Sequence, residues 1–223
     1  MSNRTLAVDA NLWAYILKTG VTESDIARRL REETMRLPTA NMQIAPEQAA
    51  FMGFIAGLVD ARRYLEVGVF TGYSMLSVIT SMGQEASAVA CDISREWTDV
   101  ARKYWKEAGI HDRIELHLAQ AQETLGTLEE NSFDLAFIDA DKERYDLYYE
   151  ACLRLLKPGA LLMIDNIFWG GAVADMQVND EETDAIRALN RKIMRDSRVE
   201  ASMVPIGDGL MLVKKRWEPA GSI

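Results

Sequence analysis

The 223-residue sequence has few of the residues that mark secreted, membrane-spanning or zinc-binding proteins. Its two cysteines, Cys91 and Cys152, form no Cys-x-x-Cys pair, so we expect buried apolar side chains in a reducing cytoplasm. Its two histidines exclude a histidine-rich zinc site, and His117 lies in an alternating, strand-like run that favours a structural role. We see neither a bilayer-spanning apolar run nor a signal-peptide core, which predicts a cytoplasmic protein without a membrane partner.

The charge balance also limits the partners of the chain. Acidic residues outnumber basic ones by 34 to 25, which gives a net charge of −9. This excess repels polyanions, so a nucleic-acid partner is not expected. Hydrophobic residues make up 48% of the chain and charged residues 26%, which is typical of a globular protein. The length suits one α/β domain with a short appendage.

The first 60 residues have the pattern of helices. Thr22 and Asp25 have the spacing of a capping box before a charged helix over Ile26–Met35. Pro46 suits the first turn of a further helix over Pro46–Asp60. We therefore predict an N-terminal helical segment over residues 1–60, followed by a main domain over residues 61–223, together forming one structural unit.

Short apolar runs alternate with longer amphipathic stretches after residue 60. The predicted strands are Tyr64–Val67, Ala88–Cys91, Ile114–Leu118, Leu135–Ile138 and Leu161–Ile164. Helices are predicted over Arg95–Ala108 and Tyr145–Leu156, the second ended by Lys157-Pro158-Gly159. This alternation predicts a doubly wound α/β fold with a parallel sheet. Glu200–Pro205 and Leu210–Lys214 add an antiparallel hairpin, which makes seven strands.

Acidic residues stand at the ends of four core strands: Glu66, Asp92, Asp139 and Asp165. In an open α/β sheet, ligands bind beyond the carboxyl ends of the strands, so these carboxylates are expected to converge on one crevice. The alternative is that each acid caps the helix that follows it. Four acids at corresponding positions favour the shared crevice.

The loop Glu66–Gly72 resembles a dinucleotide-binding turn but lacks two of its glycines. A Gly-x-Gly-x-x-Gly motif centred on Gly68 would need glycine at positions 66 and 71, where the chain has Glu66 and Thr71. An acid in this place favours a cationic ligand without phosphates. S-adenosylmethionine has this chemistry, with an ammonium, a sulfonium and a ribose. Asp92, 20 residues after Gly72, stands where an acid receives ribose hydroxyls.

A second group of polar residues predicts a metal site. Asp139 follows one strand, and Asp165 with Asn166 follows the next. Three hard oxygen ligands suit Mg²⁺, with Mn²⁺ or Ca²⁺ as alternatives, and leave room for two oxygens of a vicinal diol. Lys142 could then act as a base or stabilise an oxyanion, whereas the alternative is a solvated surface lysine.

At these residues the chain resembles the cation-dependent class I O-methyltransferases, which include catechol and caffeoyl-CoA O-methyltransferases and bacterial relatives. The resemblance runs from about Met42 to Lys214 and is specific as a set. The matching segments are Glu66–Ser74, Cys91–Glu96, Phe137–Lys142, Leu156–Gly159, Ile164–Asn166 and Pro205–Gly209. It implies the seven-stranded, Rossmann-like fold of S-adenosylmethionine-dependent methyltransferases. It also implies a homodimer in which N-terminal helices help to cover the site.

The resemblance assigns roles to individual residues. The residues implied at the cofactor are Met42, Ile44, Glu66, Gly68, Val69, Ser74, Asp92, Ala121 and Asp139. Among these, Asp92 is implied to receive the ribose and the Ala121 backbone to meet the adenine. The implied metal ligands are Asp139, Asp165 and Asn166, and Lys142 and Asp139 are the implied catalytic residues.

Two positions depart from the plant caffeoyl-CoA enzymes. The chain has Met42 where those enzymes have a lysine, and Gly170 where they have an asparagine. Both positions contact the substrate in the plant enzymes, which leaves caffeoyl-CoA specificity open. The apolar segment Ile167–Val173 is predicted to be either a wall of the substrate site or ordinary packing.

These features predict a metal-dependent O-methyltransferase that acts on a small aromatic vicinal diol of the catechol or caffeoyl type. One alternative keeps the chemistry and takes hydroxyuridine in tRNA as the acceptor, as some bacterial relatives do. A binding module without turnover and a nicotinamide dehydrogenase are further alternatives, disfavoured by the complete set of predicted ligands and by the missing glycines respectively.

Overall fold

The computed structural model of the protein describes residues 5–217, which form a twisted sheet with helices on both faces. The strands are β1 (Arg63–Val67), β2 (Ser87–Asp92), β3 (Ile114–Leu118), β4 (Phe133–Ile138), β5 (Leu156–Ile164), β6 (Val199–Val204) and β7 (Leu210–Lys215). The helices are α1 (Ala10–Gly20), α2 (Asp25–Thr34), α3 (Pro46–Leu58), α4 (Tyr73–Ser81), α5 (Arg95–Glu107), α6 (Ala121–Thr127), α7 (Tyr145–Leu155) and α8 (Glu181–Ile193). None of these helices is long and apolar enough to span a bilayer.

The strands follow the order β3-β2-β1-β4-β5-β7-β6 across the sheet. β1 to β5 are parallel, and β7 lies antiparallel between β5 and β6. The predicted doubly wound sheet with an antiparallel C-terminal hairpin is therefore confirmed. The chain starts at β1 in the middle, moves outward to β3, and returns to β4 on the other side of β1. This reversal opens a crevice at the carboxyl ends of β1 and β4.

Both faces of the sheet are buried, so two apolar cores form. Along β1, Tyr64 belongs to the core under α2 to α5, and the next residue, Leu65, belongs to the core under α6 to α8. Both side chains are fully buried. Strands buried on both faces read as apolar runs, which is why they stood out in the sequence. Cys91 and Cys152 are buried in the second core, as predicted.

Strand β5 begins earlier than predicted. The pattern placed its start at Leu161, but it starts at Leu156, directly after α7. Lys157–Gly159 therefore belongs to the strand beside β4, and the pairing with β4 shifts in register at this point. Gly159 has a φ of +84°, and a side-chain carbon there would lie 2.6 Å from the Trp217 ring. These residues end the helix as predicted, but they belong to the strand.

The predicted capping box at Thr22 and Asp25 is wrong. Helix α2 starts at Asp25, and Ser24 is its N-cap, with the Ser24 hydroxyl oxygen accepting a hydrogen bond from the Ala27 amide at 3.1 Å. Thr22 therefore lies outside the helix. Pro46 is the first residue of α3, as predicted, and that helix ends at Leu58. The separation of the chain at residue 60 stays a prediction.

Helix α2 is bonded to the start of α4, next to the loop that follows β1. Thr34 donates a buried hydrogen bond to the Thr71 hydroxyl at 2.8 Å. Tyr73 donates to Glu23 at 2.6 Å, and Arg31 holds the same carboxylate with two further hydrogen bonds. These contacts fix the N-terminal helices against the crevice.

Candidate active site

A cavity of about 850 Å³ lies at the carboxyl ends of the parallel strands. Its volume falls within the range of small-molecule sites, roughly 300–1,000 Å³. The predicted site residues that line it are Met42, Ile44, Gly68, Val69, Ser74, Asp92, Ala121, Asp139, Lys142, Asp165 and Asn166. The topology thus brings together residues that are far apart in sequence, and it leaves Glu66 out of the lining.

Three of the four strand-end acids, Asp92, Asp139 and Asp165, line this cavity. None of the four is the N-cap of the helix or helical turn that follows it. Those N-caps are Gly72, Ser94, Asp141 and Phe168. The interpretation of the acids as helix caps is therefore wrong, and the crevice explains three of them.

Glu66 lies beneath the cavity rather than in its wall, so the expectation that all four acids face one crevice needs correction. Its side chain is fully buried and accepts hydrogen bonds from the Tyr64 hydroxyl at 2.7 Å and from the Ser74 hydroxyl at 2.6 Å. Burial raises the pKa of Glu66 to about 8, although the two hydroxyls oppose the rise. Below that pH the side chain is neutral, and Ser74 stands between it and the cavity.

The loop after β1 passes very close to the end of β4. Gly68 has a φ of +90°, and a side-chain carbon there would lie 1.8 Å from the Asp139 carbonyl oxygen. Only glycine fits such a position. The loop ends at Gly72, the N-cap of α4, with a φ of +83°.

Asp92 holds this loop in place. One carboxylate oxygen accepts the amides of Val69 and Phe70, each at 2.9 Å, and the other accepts the Ser94 amide at 2.7 Å. Three of the roughly four acceptor positions of the carboxylate are used in this way. Asp92 therefore organises the loop and keeps capacity for one further hydrogen bond from a ligand.

Asp139 and Asp165 stand side by side because β4 and β5 pair in register at Ile138 and Ile164. Asp165 is 3% exposed, and burial raises its pKa to about 7, with the charge of Asp139 acting in the same direction. Asn166 follows with a φ of +55° and donates from its side-chain amide to Asp208 at 3.3 Å. The two neighbouring carboxylates and the amide that follows Asp165 therefore line the same cavity.

The donor chemistry of this group fits a divalent cation. The Asn166 amide is neutral. Lys142 forms an ion pair with Asp139 and so balances the charge of one of the two carboxylates. Buried negative charge without compensation is costly, and a hard cation with oxygen ligands would balance it. Asp139, Asp165 and Asn166 could therefore hold the ion predicted from the sequence.

Lys142 is buried, so the interpretation as a solvated surface lysine is wrong. Its ammonium donates to Asp139 Oδ1 at 3.0 Å and to the Tyr145 hydroxyl at 2.7 Å. It also lies 5.6 Å from the centre of the Trp169 ring, within the range of a cation–π contact. Burial raises the pKa of Tyr145 well above its ordinary value, so this phenol stays protonated.

The segment Ile167–Val173 combines both predicted roles. Ile167 is 1% exposed and belongs to the core, whereas Trp169 lines the cavity. The Gly170 amide donates to Asp208 at 2.8 Å, which anchors the segment to the turn between β6 and β7. The wall of the site is therefore the ring of Trp169, and the rest of the segment supports or flanks it.

Sequence reasoning missed several residues of the site. Tyr145, Gln48 and Asp208 lie at the cavity or bond to its lining. Asp208 lies in the matched segment Pro205–Gly209, so a signal existed without a role attached to it. Tyr145 lies on α7 and Gln48 on the mostly apolar α3, where neither residue can be told from ordinary helix packing by sequence pattern.

Comparisons with known proteins agree with this geometry. A model of the O-methyltransferase family matches residues 17–216. A Dictyostelium discoideum protein named probable caffeoyl-CoA O-methyltransferase 2 is 40% identical over 210 residues, covering 90% of this chain and 91% of that protein. The mouse catechol O-methyltransferase domain-containing protein 1 is 36% identical over 211 residues, covering 93% and 80%.

A solved structure shares the fold. The methyltransferase of Podospora anserina bound to S-adenosylhomocysteine (SAH) superposes with a TM-score of 0.86 at 27% identity, covering 98% of this chain and 100% of that one. The predicted class I S-adenosylmethionine-dependent methyltransferase fold is confirmed by this likeness and by the strand order.

The buried Glu66 makes stability fall with rising pH. Below its unfolded pKa of 4.5, both states are protonated; between 4.5 and about 8, the folded chain keeps a proton that the unfolded chain releases. Relative to Glu66→Gln, the wild type should lose about 1.4 kcal/mol of unfolding free energy per pH unit in that window and level off above it. Urea denaturation from pH 5 to 9 measures this difference. Parallel curves for the two proteins would show that Glu66 is ionised in the fold.

Proposed function

The chain belongs to the O-methyltransferase family, and on that premise we propose that it methylates a hydroxyl of a small aromatic vicinal diol with S-adenosylmethionine and a divalent cation. The diol is of the catechol or caffeoyl type, the acceptors named for the Dictyostelium and mouse relatives. One observation carries the proposal: three oxygen donors and a buried lysine share one cavity with the glycine loop.

In this proposal the methyl donor lies along the loop after β1. Gly68 and Val69 offer backbone, and Ser74 faces the methionine end, held from below by Glu66. Asp92 receives a ribose hydroxyl with its remaining acceptor position. The backbone of Ala121, at the start of α6, meets the adenine. Met42 and Ile44, from the N-terminal segment, close the cavity.

SAH should raise the melting temperature of the protein, whereas NADH should not. A ligand at a hundred times its Kd stabilises by about 2.7 kcal/mol. Ser74→Ala should weaken SAH binding about tenfold, because it removes a hydroxyl worth roughly one hydrogen bond. Ser77→Ala, on the same helix, is the matched control, since its hydroxyl bonds to the Tyr73 carbonyl. Thermal shift and calorimetry give both values; stabilisation by NADH would favour a dehydrogenase.

Asp139, Asp165 and Asn166 would hold the cation, with Mg²⁺ as the first choice. When bound, the ion supplies Lewis acidity, which lowers the pKa of a coordinated hydroxyl. Lys142 would stabilise the oxygen that attacks the methyl carbon once its proton has been lost to solvent, while the sulfur–carbon bond breaks and S-adenosylhomocysteine leaves. An ammonium has three donors, and Asp139 and Tyr145 take two of them, which leaves one for that oxygen. Trp169 closes the site on the side of Lys142.

Methylation of a catechol should depend on the cation. EDTA treatment should abolish turnover, and Mg²⁺ should restore it. Asp139→Ala should lower kcat/KM roughly 10²–10³-fold or more, which corresponds to a loss of several kcal/mol of transition-state stabilisation. The substitution removes both a ligand of the cation and the partner of Lys142. Asp146→Ala, an exposed aspartate on α7, is the control. Equal rates with and without EDTA would refute the metal mechanism, and methyl transfer to unmodified tRNA but to no diol would move the acceptor to RNA.

We also propose that the protein is a homodimer formed through α3. Phe54 and Leu58, one turn apart on α3, are each 68% exposed. Contiguous apolar surface of this kind marks an interface more often than free surface.

Sedimentation should show a dimer for the wild type. Leu58→Glu should shift it to a monomer, because a charge would be buried in the interface without a partner. Met176→Glu, a methionine that is 81% exposed on a distant loop, should leave the dimer intact. A monomeric wild type at micromolar concentration would refute the proposal.

A further inference from the structure

Gln48 is a buried polar residue of the cavity with no role so far. It lies on the first turn of α3, lines the cavity and is 1% exposed. Among the residues that the structure describes, its Nε2 makes no hydrogen bond of ordinary geometry, although the Asp165 carboxyl lies near it. Glutamine is rarely buried in this way, since an unpaired amide loses its hydration without compensation.

The position of the Gln48 amide is fixed by two neighbours. Its oxygen packs on the turn between β6 and β7, where a side-chain carbon at Gly207 would lie 2.1 Å from Oε1. Its nitrogen also lies close enough to the Asp165 carboxyl to oppose the rise of that carboxyl's pKa as a hydrogen-bond donor, and because Nε2 carries two hydrogens, one stays available to a ligand. The nitrogen end therefore points away from the turn, towards the Asp165 side of the cavity.

The oxygen donors Asp139, Asp165 and Asn166, here called the donor group, have a different neighbour at each end. Lys142 bonds to Asp139, whose backbone touches the glycine loop at Gly68. Gln48 stands at the other end, next to Asp165. A vicinal diol has two oxygens, so each end of the donor group can serve one of them. Under the proposed function, an oxygen at the Lys142 end would lie nearer to the glycine loop and would be the one that is methylated.

We propose that Gln48 Nε2 donates a hydrogen bond to the second, unmethylated oxygen of the acceptor and so determines specificity for vicinal diols. The inference rests on the proposed function and adds a recognition residue to it. A site with a buried donor of this kind rejects acceptors that cannot accept its hydrogen bond, because the donor is then left unpaired.

Gln48→Met tests this role, since methionine has a similar volume and no donor. With Mg²⁺ and S-adenosylmethionine saturating, KM for catechol should rise about tenfold, the loss of roughly one hydrogen bond to a buried donor. The kcat, the SAH-induced thermal shift and the Mg²⁺ activation constant should stay close to wild type. Gln84→Met, at an exposed glutamine before β2, is the matched control.

Thermal stability separates recognition from a structural role. Removing a buried donor that makes no hydrogen bond of ordinary geometry should leave the melting temperature of the ligand-free protein close to that of the wild type. A fall of several degrees, or a failure to fold, would overturn the proposal, as would an unchanged KM for catechol. A changed Mg²⁺ constant with unchanged KM would overturn it too, because Gln48 would then act through Asp165.

A second variant checks the geometry. Gly207→Ala places a carbon against Gln48 Oε1 and should displace the amide, raising KM for catechol as Gln48→Met does; the φ of +53° also strains the alanine, which should lower the melting temperature equally in both backgrounds. In a Gln48→Ala background, Gly207→Ala should add little, since the two changes remove one interaction. Fully additive effects would contradict the assignment. A wild type that methylates no diol would refute the proposed function itself, whereas turnover with unchanged Gln48 variants would refute the inference alone.

Discussion

The close approach of Gly68 to the Asp139 carbonyl is the constraint on which the site depends. A side-chain carbon at 68 would lie 1.8 Å from that oxygen, so the glycine loop and the end of β4 meet only through backbone. Asp139 in turn bonds to Lys142 and neighbours Asp165 across the paired ends of β4 and β5. Any shift of this contact would therefore move the glycine loop relative to the oxygen donors of Asp139 and Asp165.

The four acidic residues at the strand ends have different roles because they differ in burial and in hydrogen-bond partners. Glu66 is fully buried and neutral below about pH 8, and it acts through Ser74. The Asp92 carboxylate accepts hydrogen bonds from three backbone amides. Asp139 is paired with Lys142, and Asp165 is nearly desolvated beside it. Burial and partners, not the side chain itself, decide which acid organises a loop and which can bind an ion.

The sequence predicted the sheet and most of the lining because these follow from local pattern. Buried parallel strands are apolar runs, and the residues at their ends meet at one edge. The depth of Glu66 could not be predicted, because it depends on Tyr64 and Ser74 packing over the carboxyl. Tyr145 and Gln48 were missed because a helical pattern does not reveal what another chain segment brings opposite them. The shift from Thr22 to Ser24 reflects the weak sequence signal of a helix start.

The N-terminal helices belong to the site as much as the sheet does. Thr34 bonds to Thr71 of the glycine loop, and Glu23 bonds to Tyr73 at the start of α4. The segment that follows supplies Met42, Ile44 and Gln48 to the cavity. The sheet ends carry the residues that we propose for methyl transfer, whereas this segment and Trp169 line other parts of the same cavity. Changes in these parts of the cavity can therefore alter the choice of acceptor while the groups that perform the reaction stay in place.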